Sequence, residues 1–313
     1  MAPRVSISTD GLRRAFWCLF VALAVLVMVS AGYYVWDRYT HPDEQPAAEA
    51  GVAQMEEAIR HDPSDPDLRV ALAEAYLVAG QYQDALSQAE QVATLYPEHE
   101  AALLIAGLAA ARLDRPGDAL APLEQFVAQR QGGPMARADM ALETAYYFLG
   151  ESYLKLGRPG EAIPALEAAL EIDAVDADAL YQAGLAYQAT GQPETALQRY
   201  HDAVRLVPDF VEAYRGMSEI YRTMDQASYA MYARGMVAYC ERDHAAAAAN
   251  LERATQALPD FGPAFRGLGL TYEQMGQLGE ALAALQRALA LAPDDLASLQ
   301  AIGRIQATLN AEN

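Results

Sequence analysis

Side chains able to do covalent, acid–base or metal chemistry are few in this 313-residue chain, and they are scattered. The five histidines are His41, His61, His99, His201 and His244. No two stand at the i, i+3 or i, i+4 spacing that brings two imidazoles to one side of a helix around a metal ion. Isolated histidines of this kind suit solvated positions or helix caps. Cys18 and Cys240 are the only thiols, too few for a disulfide framework or a thiolate metal site. The sequence has no nucleophile elbow, no phosphate-binding loop and no dinucleotide-binding glycine fingerprint. Asp62, Asp65 and Asp67, and again Asp173, Asp176 and Asp178, lack the spacing and glycine of a calcium loop and read as turn and cap residues. The expectation is a protein that is not an enzyme, with no metal and no cofactor.

Charge narrows the partners. Against 22 Lys and Arg stand 42 Asp and Glu, a net charge of −20, and Lys155 is the single lysine. Phosphate backbones are held by clustered cations, so nucleic acid is not an expected partner. With 53% hydrophobic residues the chain is also too apolar to be disordered.

Residues 15–36 form an uncharged apolar run. As a helix it would reach about 33 Å, enough for a hydrocarbon core of about 30 Å. Arg4, Arg13 and Arg14 precede it and Asp37 and Arg38 follow, which predicts residues 1–14 in the cytoplasm and the bulk of the chain outside. Val29-Ser30-Ala31 offers a competing reading as a cleaved signal peptide, while continuation of the run to Trp36 favours an anchor. Residues 37–46, with Pro42 and Pro46, read as a short linker. Beyond it, residues 41–313 carry 18 cations against 40 acids, a domain that anionic lipid heads repel.

The elements that must position any site declare themselves by repetition. Ala85, Ala119, Ala162, Ala196, Ala247 and Ala281 form one series, and their successive separations are 34, 43, 34, 51 and 34. Tyr153, Tyr187 and Tyr221 keep the same basic period, and Tyr272 follows at the longer interval of 51. Each unit reads as two helices. In 177–210, Leu180, Ala183-Gly184 and Tyr187 make one apolar stripe that Gly191 ends, and Ala196, Tyr200 and Ala203 make a second that Pro208 ends. Gly107, Gly150, Gly184 and Gly269 recur at one position, where a missing side chain lets two helices cross closely.

This pattern resembles the tetratricopeptide repeat. Residues 262–295 supply its large, apolar-small, aromatic, alanine, large, small and proline positions as Phe265, Leu268-Gly269, Tyr272, Ala281, Leu285, Ala288 and Pro293. The resemblance implies an α-solenoid, a right-handed superhelix of helical hairpins, so with the transmembrane helix read from residues 15–36 the expected fold is all-α: an N-terminal transmembrane helix followed by the solenoid. Full repeats are assigned at 66–99, 100–133, 143–176, 177–210, 228–261 and 262–295. Residues 47–65 read as an orphan half-repeat helix, 211–227 as a half repeat, and 296–313 as a capping helix and tail. Gly132-Gly133-Pro134 open a nine-residue insertion. Segment 228–242 has Arg234 where an apolar residue belongs and Ala238 where the aromatic belongs, so it reads either as the second helix of one repeat or the first of the next.

In the family the first helices line a concave groove that holds a peptide or a helix. By phase the groove positions are Tyr147, Glu151, Lys155, Tyr181, Arg215, Glu219 and Arg222, joined by Tyr229, Tyr232, Met236 and Tyr239 if 228–242 is a first helix. Aromatic rings and arginines suit peptide recognition, and interhelical packing is the competing account of the same tyrosines. The Lys and Asn clamp by which chaperone-binding members hold a C-terminal carboxylate is absent: its Asn positions hold Glu74, Leu108, Glu151, Leu185, Glu219, Met236 and Leu270. The expectation is a non-enzymatic, single-pass membrane scaffold or adaptor. It would bind protein partners, basic or with an extended or helical segment, on the extracytoplasmic side, in assembly, export or maturation. Translocon-associated and cytochrome c biogenesis proteins of the family are the analogy. The alternative is a permanent structural subunit of a large membrane complex.

Overall fold

A computed structural model describes residues 47–312, and these are helical throughout, without strands. The expected membrane span at 15–36, the residues before it and the linker 37–46 lie outside the described residues. Within them no helix is long and apolar enough to cross a membrane.

The helices are α1 (Ala47–His61), α2 (Pro66–Val78), α3 (Tyr82–Leu95), α4 (Glu100–Arg112), α5 (Pro116–Arg130), α6 (Met140–Lys155), α7 (Pro159–Ile172), α8 (Ala177–Ala189), α9 (Pro193–Leu206), α10 (Val211–Thr223), α11 (Ala227–Cys240), α12 (His244–Ala257), α13 (Gly262–Gln274), α14 (Leu278–Leu291) and α15 (Leu296–Glu312). Their starts are written in the sequence. Pro66, Pro116, Pro159 and Pro193 occupy the first turn, where a missing N–H costs nothing. Asp65, Asp139, Asp176 and Asp243 accept hydrogen bonds from the exposed backbone amides that follow them. His99 does the same, its Nδ1 accepting from the Ala102 amide at 3.3 Å.

The described residues fall into two compact units that divide after Gln81. In the first, α1 and α2 pack together, and the Tyr76 hydroxyl donates to Glu56 Oε1 at 2.7 Å. In the second, α3 to α15 form a linear array. Each helix packs on its neighbours in sequence, and α4, α6, α8 and α10 also touch in succession, as do α11, α13 and α15. Hairpin crossings depend on the recurrent glycines. A Cβ at Gly107, Gly150 or Gly269 would lie 2.4–2.5 Å from Cγ of Leu123, Leu166 or Leu285. At Gly184 it would lie 2.4 Å from the Tyr200 ring. The alanines of the second helices, from Ala85 to Ala281, are fully buried opposite.

The turn inside each hairpin needs one residue with left-handed backbone. Gly157, Gly191 and Gly276 serve three turns of the second unit, with φ of 70–75°. Asp114, Asp225 and Arg242 serve the others, at 57°, 58° and 64°. Along the chain these turns follow one another at one full period except twice. The insertion lengthens the interval between Asp114 and Gly157, and the interval from Asp225 to Arg242 is half a period and encloses α11. This helix is entered through one hairpin turn at Asp225 and left through another at Arg242. On one side Ala230, one full period after Ala196, is buried against α10 as a second-helix alanine. On the other, Gly235 faces Leu251 of α12, and the Met236 sulfur fills the space beside Gly267 of α13, both first-helix contacts. One helix completes the hairpin begun at 211 and opens the next, and Arg234 turns outward.

The core runs unbroken through this helix. Tyr200, Tyr214 and Tyr232 are among its largest fully enclosed side chains. Tyr232 meets Tyr214 and Phe261 edge-on, with centroids 6.2 and 4.9 Å apart. The tyrosines of the periodic series reach back to the preceding second helix: Tyr153 donates to Glu124 at 2.5 Å, Tyr272 to Glu252 at 2.8 Å, and the Tyr221 hydroxyl pairs with His201 Nε2 at 2.9 Å.

Candidate peptide-binding face

The first helices α4, α6 and α8 present consecutive side chains to one recess of about 300 Å³. Its walls include Arg112 from α4, Tyr147, Phe148 and Glu151 from α6, and Asp176 with Asp178 at the start of α8. Tyr147 is partly buried, and burial with Glu151 nearby pushes its hydroxyl up to about 12, so it stays neutral and can donate. Its ring meets Phe148 edge-on, while the Arg112 guanidinium lies over the other ring, 5.0 Å from the Phe148 centroid. Lys155 lies 3.4 Å from Glu151 and 3.3 Å from Asp114. The helix α6 has sixteen residues where α4, α8 and α10 have thirteen. The insertion after Arg130 supplies its extra turn. A short 3-10 turn at Ala136–Ala138 and the Asp139 cap start α6 early, and Arg130 ties the insertion down by contacts of 2.8 Å to Glu100 and 2.7 Å to Asp139.

Further along, Tyr181 leans on Phe210 and Tyr200, with centroids 5.0 and 5.8 Å apart, half open on the same series of helices. Arg215 pairs with Glu241, and Arg222 with Glu219 at 2.6 Å; all four side chains are largely open to solvent. Tyr229 stacks on Tyr221 at 5.2 Å and meets Phe261 edge-on. Tyr239 lines a separate recess of about 330 Å³ with Asp209, Cys240, Arg242, His244 and Gln274. Two of the residues expected in the groove do not belong there. Tyr232 is 2% and Met236 5% exposed, because the shared helix must turn its apolar side into both flanking hairpins. They are core.

The phase argument passed over Glu143, Arg112 and Asp178. Glu143 stands at the first position of its repeat, ordinarily an exposed helix start, and the added turn of α6 moves it inward. The early aspartate cap at Asp139 was the available signal.

Models of the tetratricopeptide repeat match this sequence at residues 45–92, 70–134, 141–209 and 239–304. The chain belongs to the tetratricopeptide repeat family. The matches stop at 209 and resume at 239, on either side of the region in which α11 is shared. Among solved structures, MamA from Desulfovibrio magneticus RS-1 (residues 41 to the end) is 24% identical, covers 57% of this chain and 96% of its own, and has a TM-score of 0.50. YrrB, described as a repeat protein of this family with an unusual peptide-binding site, is 19% identical over 79% of this chain and 96% of its own, with a TM-score of 0.43. The likeness to MamA is one of fold. No curated protein matches. As a tetratricopeptide repeat protein the chain is a protein–protein interaction scaffold, a class that is typically non-enzymatic. Among the described residues no group of three His, Cys, Asp or Glu could hold a metal ion.

Proposed function

We propose that residues 15–36 anchor this scaffold in a membrane, and that the repeat array stands outside the cytoplasm and grips an extended or helical segment of a basic partner during assembly, export or maturation. The observation that carries the binding part is the continuous series of first helices α4, α6 and α8, whose partly buried tyrosines Tyr147 and Tyr181 and carboxylates Glu151 and Asp178 are open to a ligand. Aromatic faces give contact area at little entropic cost, and an acidic surface favours and steers cationic segments. The anchor rests on the length of the apolar run and on the three arginines before it.

A photocrosslinking residue placed at Tyr181 or Glu151 of the membrane-embedded protein should capture a partner. The same residue at Gln125 or Glu167 on second helices should not. Equal capture from both sets would overturn the binding face. Protease added to intact cells should digest the repeats if they lie outside, and full protection with a cytoplasmic reporter signal from residue 313 would reverse the topology.

A further inference from the structure

One buried carboxyl on the first-helix face has an oxygen that no donor reaches. Glu143 is 6% exposed, yet its Oε1 has no hydrogen-bond partner, and its other oxygen receives a long bond of 3.3 Å from the Thr144 hydroxyl. A buried acceptor left unmatched costs about 1–3 kcal/mol, so its position in the fold needs a reason. Glu143 lines the recess already described between α4, α6 and α8.

The groups facing it set the chemistry. From α6 itself come Thr144, Tyr147 and Glu151, and from the turn into α8 come Asp173, Asp176 and Asp178. From α4 comes Arg112, whose guanidinium is held over Phe148. Asp176 spends Oδ1 on capping α8, at 2.9 and 3.1 Å from two backbone amides. Burial raises the Glu143 carboxyl to about 7, helped by the charge of Asp176, by a hydrogen bond that the protonated carboxyl donates to Asp176, and by Asp173. Two adjoining carboxyls therefore line the same recess as the Tyr147 ring. Acceptors beside an aromatic ring suit an organic cation that brings several N–H donors on an apolar stem.

We propose that this recess receives a lysine or arginine side chain of the bound polypeptide, its cationic head pairing with Glu143 and Asp176 and its stem lying along Tyr147. The inference rests on the peptide-binding reading of the first-helix face and names the residue type read there. Binding of the cation favours the ionised form of Glu143, so in mildly acidic solution the complex forms with release of a proton.

The test uses the full chain in detergent, with a fluorescent twelve-residue peptide of alternating Ala and Arg and matched peptides with Gln or Glu in place of Arg. The Arg peptide should bind, and Glu143→Gln should weaken it tenfold or more while leaving the poor binding of the Gln peptide unchanged. Glu90→Gln removes the same charge from a second helix and should change affinity less than twofold. Arg112→Gln, by deleting a like charge, should strengthen binding. Calorimetry at pH 6 in two buffers of different ionisation enthalpy should show proton release that Glu143→Gln abolishes. Equal losses in Glu143→Gln and Glu90→Gln, or no proton release, would overturn the recess and reduce the effect to general acidity. A photoreactive version of the peptide separates the two levels of the argument. Crosslinks at Tyr181 with no effect of Glu143→Gln leave the binding face standing and sink the recess, whereas crosslinks confined to second helices sink both.

Discussion

Gly184→Ala should destabilise the array, although alanine is the better helix former. Inside a helix this exchange ordinarily gains about 1 kcal/mol. Here a Cβ would lie 2.4 Å from Tyr200 Cε1, so the ring must withdraw by roughly 1 Å to reach ordinary contact. It has nowhere to go. Gly216 flanks its other edge, where a Cβ would lie 2.6 Å from Cε2, and the hydroxyl is tied to Gln188 at 2.8 Å. Overpacking of this kind costs about 1–3 kcal/mol, and a ring gripped on both sides belongs at the upper end. Set against the helix-propensity gain, the expected loss is about 1–2 kcal/mol, read as a shift of the urea midpoint by far-ultraviolet circular dichroism. Gly160→Ala, in a helix start with open space around it, should be neutral or stabilising. In a Tyr200→Ala background the obstacle is gone, and Gly184→Ala should stabilise by up to about 1 kcal/mol. If Gly184→Ala matches Gly160→Ala in the native background, close crossing is not what selects glycine there.

Three further outcomes are expected. Asp225→Gly should raise stability by about 1 kcal/mol, because glycine adopts the left-handed φ of 58° without strain; an unchanged or lowered urea midpoint contradicts this. Tyr232→Ala should cost about 3–5 kcal/mol of stability through loss of a fully enclosed ring, and the reasoning fails if the variant keeps its midpoint and loses only partner binding. Glu143 titrates near 7 in the fold and at about 4.3 in an unfolded chain. Its neutral form therefore favours the fold at low pH, and that advantage fades as pH climbs past 4 and is gone above 7. Glu143→Gln should thus raise stability at pH 8 by roughly 1–3 kcal/mol relative to its effect at pH 4, and identical pH profiles for variant and native chain would refute the assignment.

The hairpin array was readable because its chemistry is periodic. Buried alanines and crossing glycines recur where backbones must approach, and no other residues fit, so Ala119, Ala162 and Gly150 announce their contacts directly. Where a different residue met the same geometric need, periodicity fell silent. Asp114, Asp225 and Arg242 hold left-handed turns without a glycine, so the interval of 51 residues announced a half-step near 211–242 but not that one helix serves both hairpins. Ala230 continues the alanine series but lies in a helix whose Gly235 obeys the next phase. Tyr147, Glu151 and Tyr181 lie partly open on first helices, as their phase implies. Tyr232 and Met236 misled because a helix gripped by hairpins on both sides has less surface to offer than phase alone implies. Glu143 escaped because an insertion before it, not its own position in the repeat, decides its burial.

The doubly used helix gives the protein a seam. Excising one whole period anywhere else in the array removes one module and restores the joint behind it, so shortened or lengthened versions can in principle be built by recombination. Between Asp225 and Arg242 the step is half a module: dropping that stretch would leave α10 and α12 as one ordinary hairpin at the full period, and adding another half would restore ordinary succession equally well. Lineages or engineered libraries should therefore change by whole modules elsewhere in the array, and a change of half a module should keep regular stacking only here.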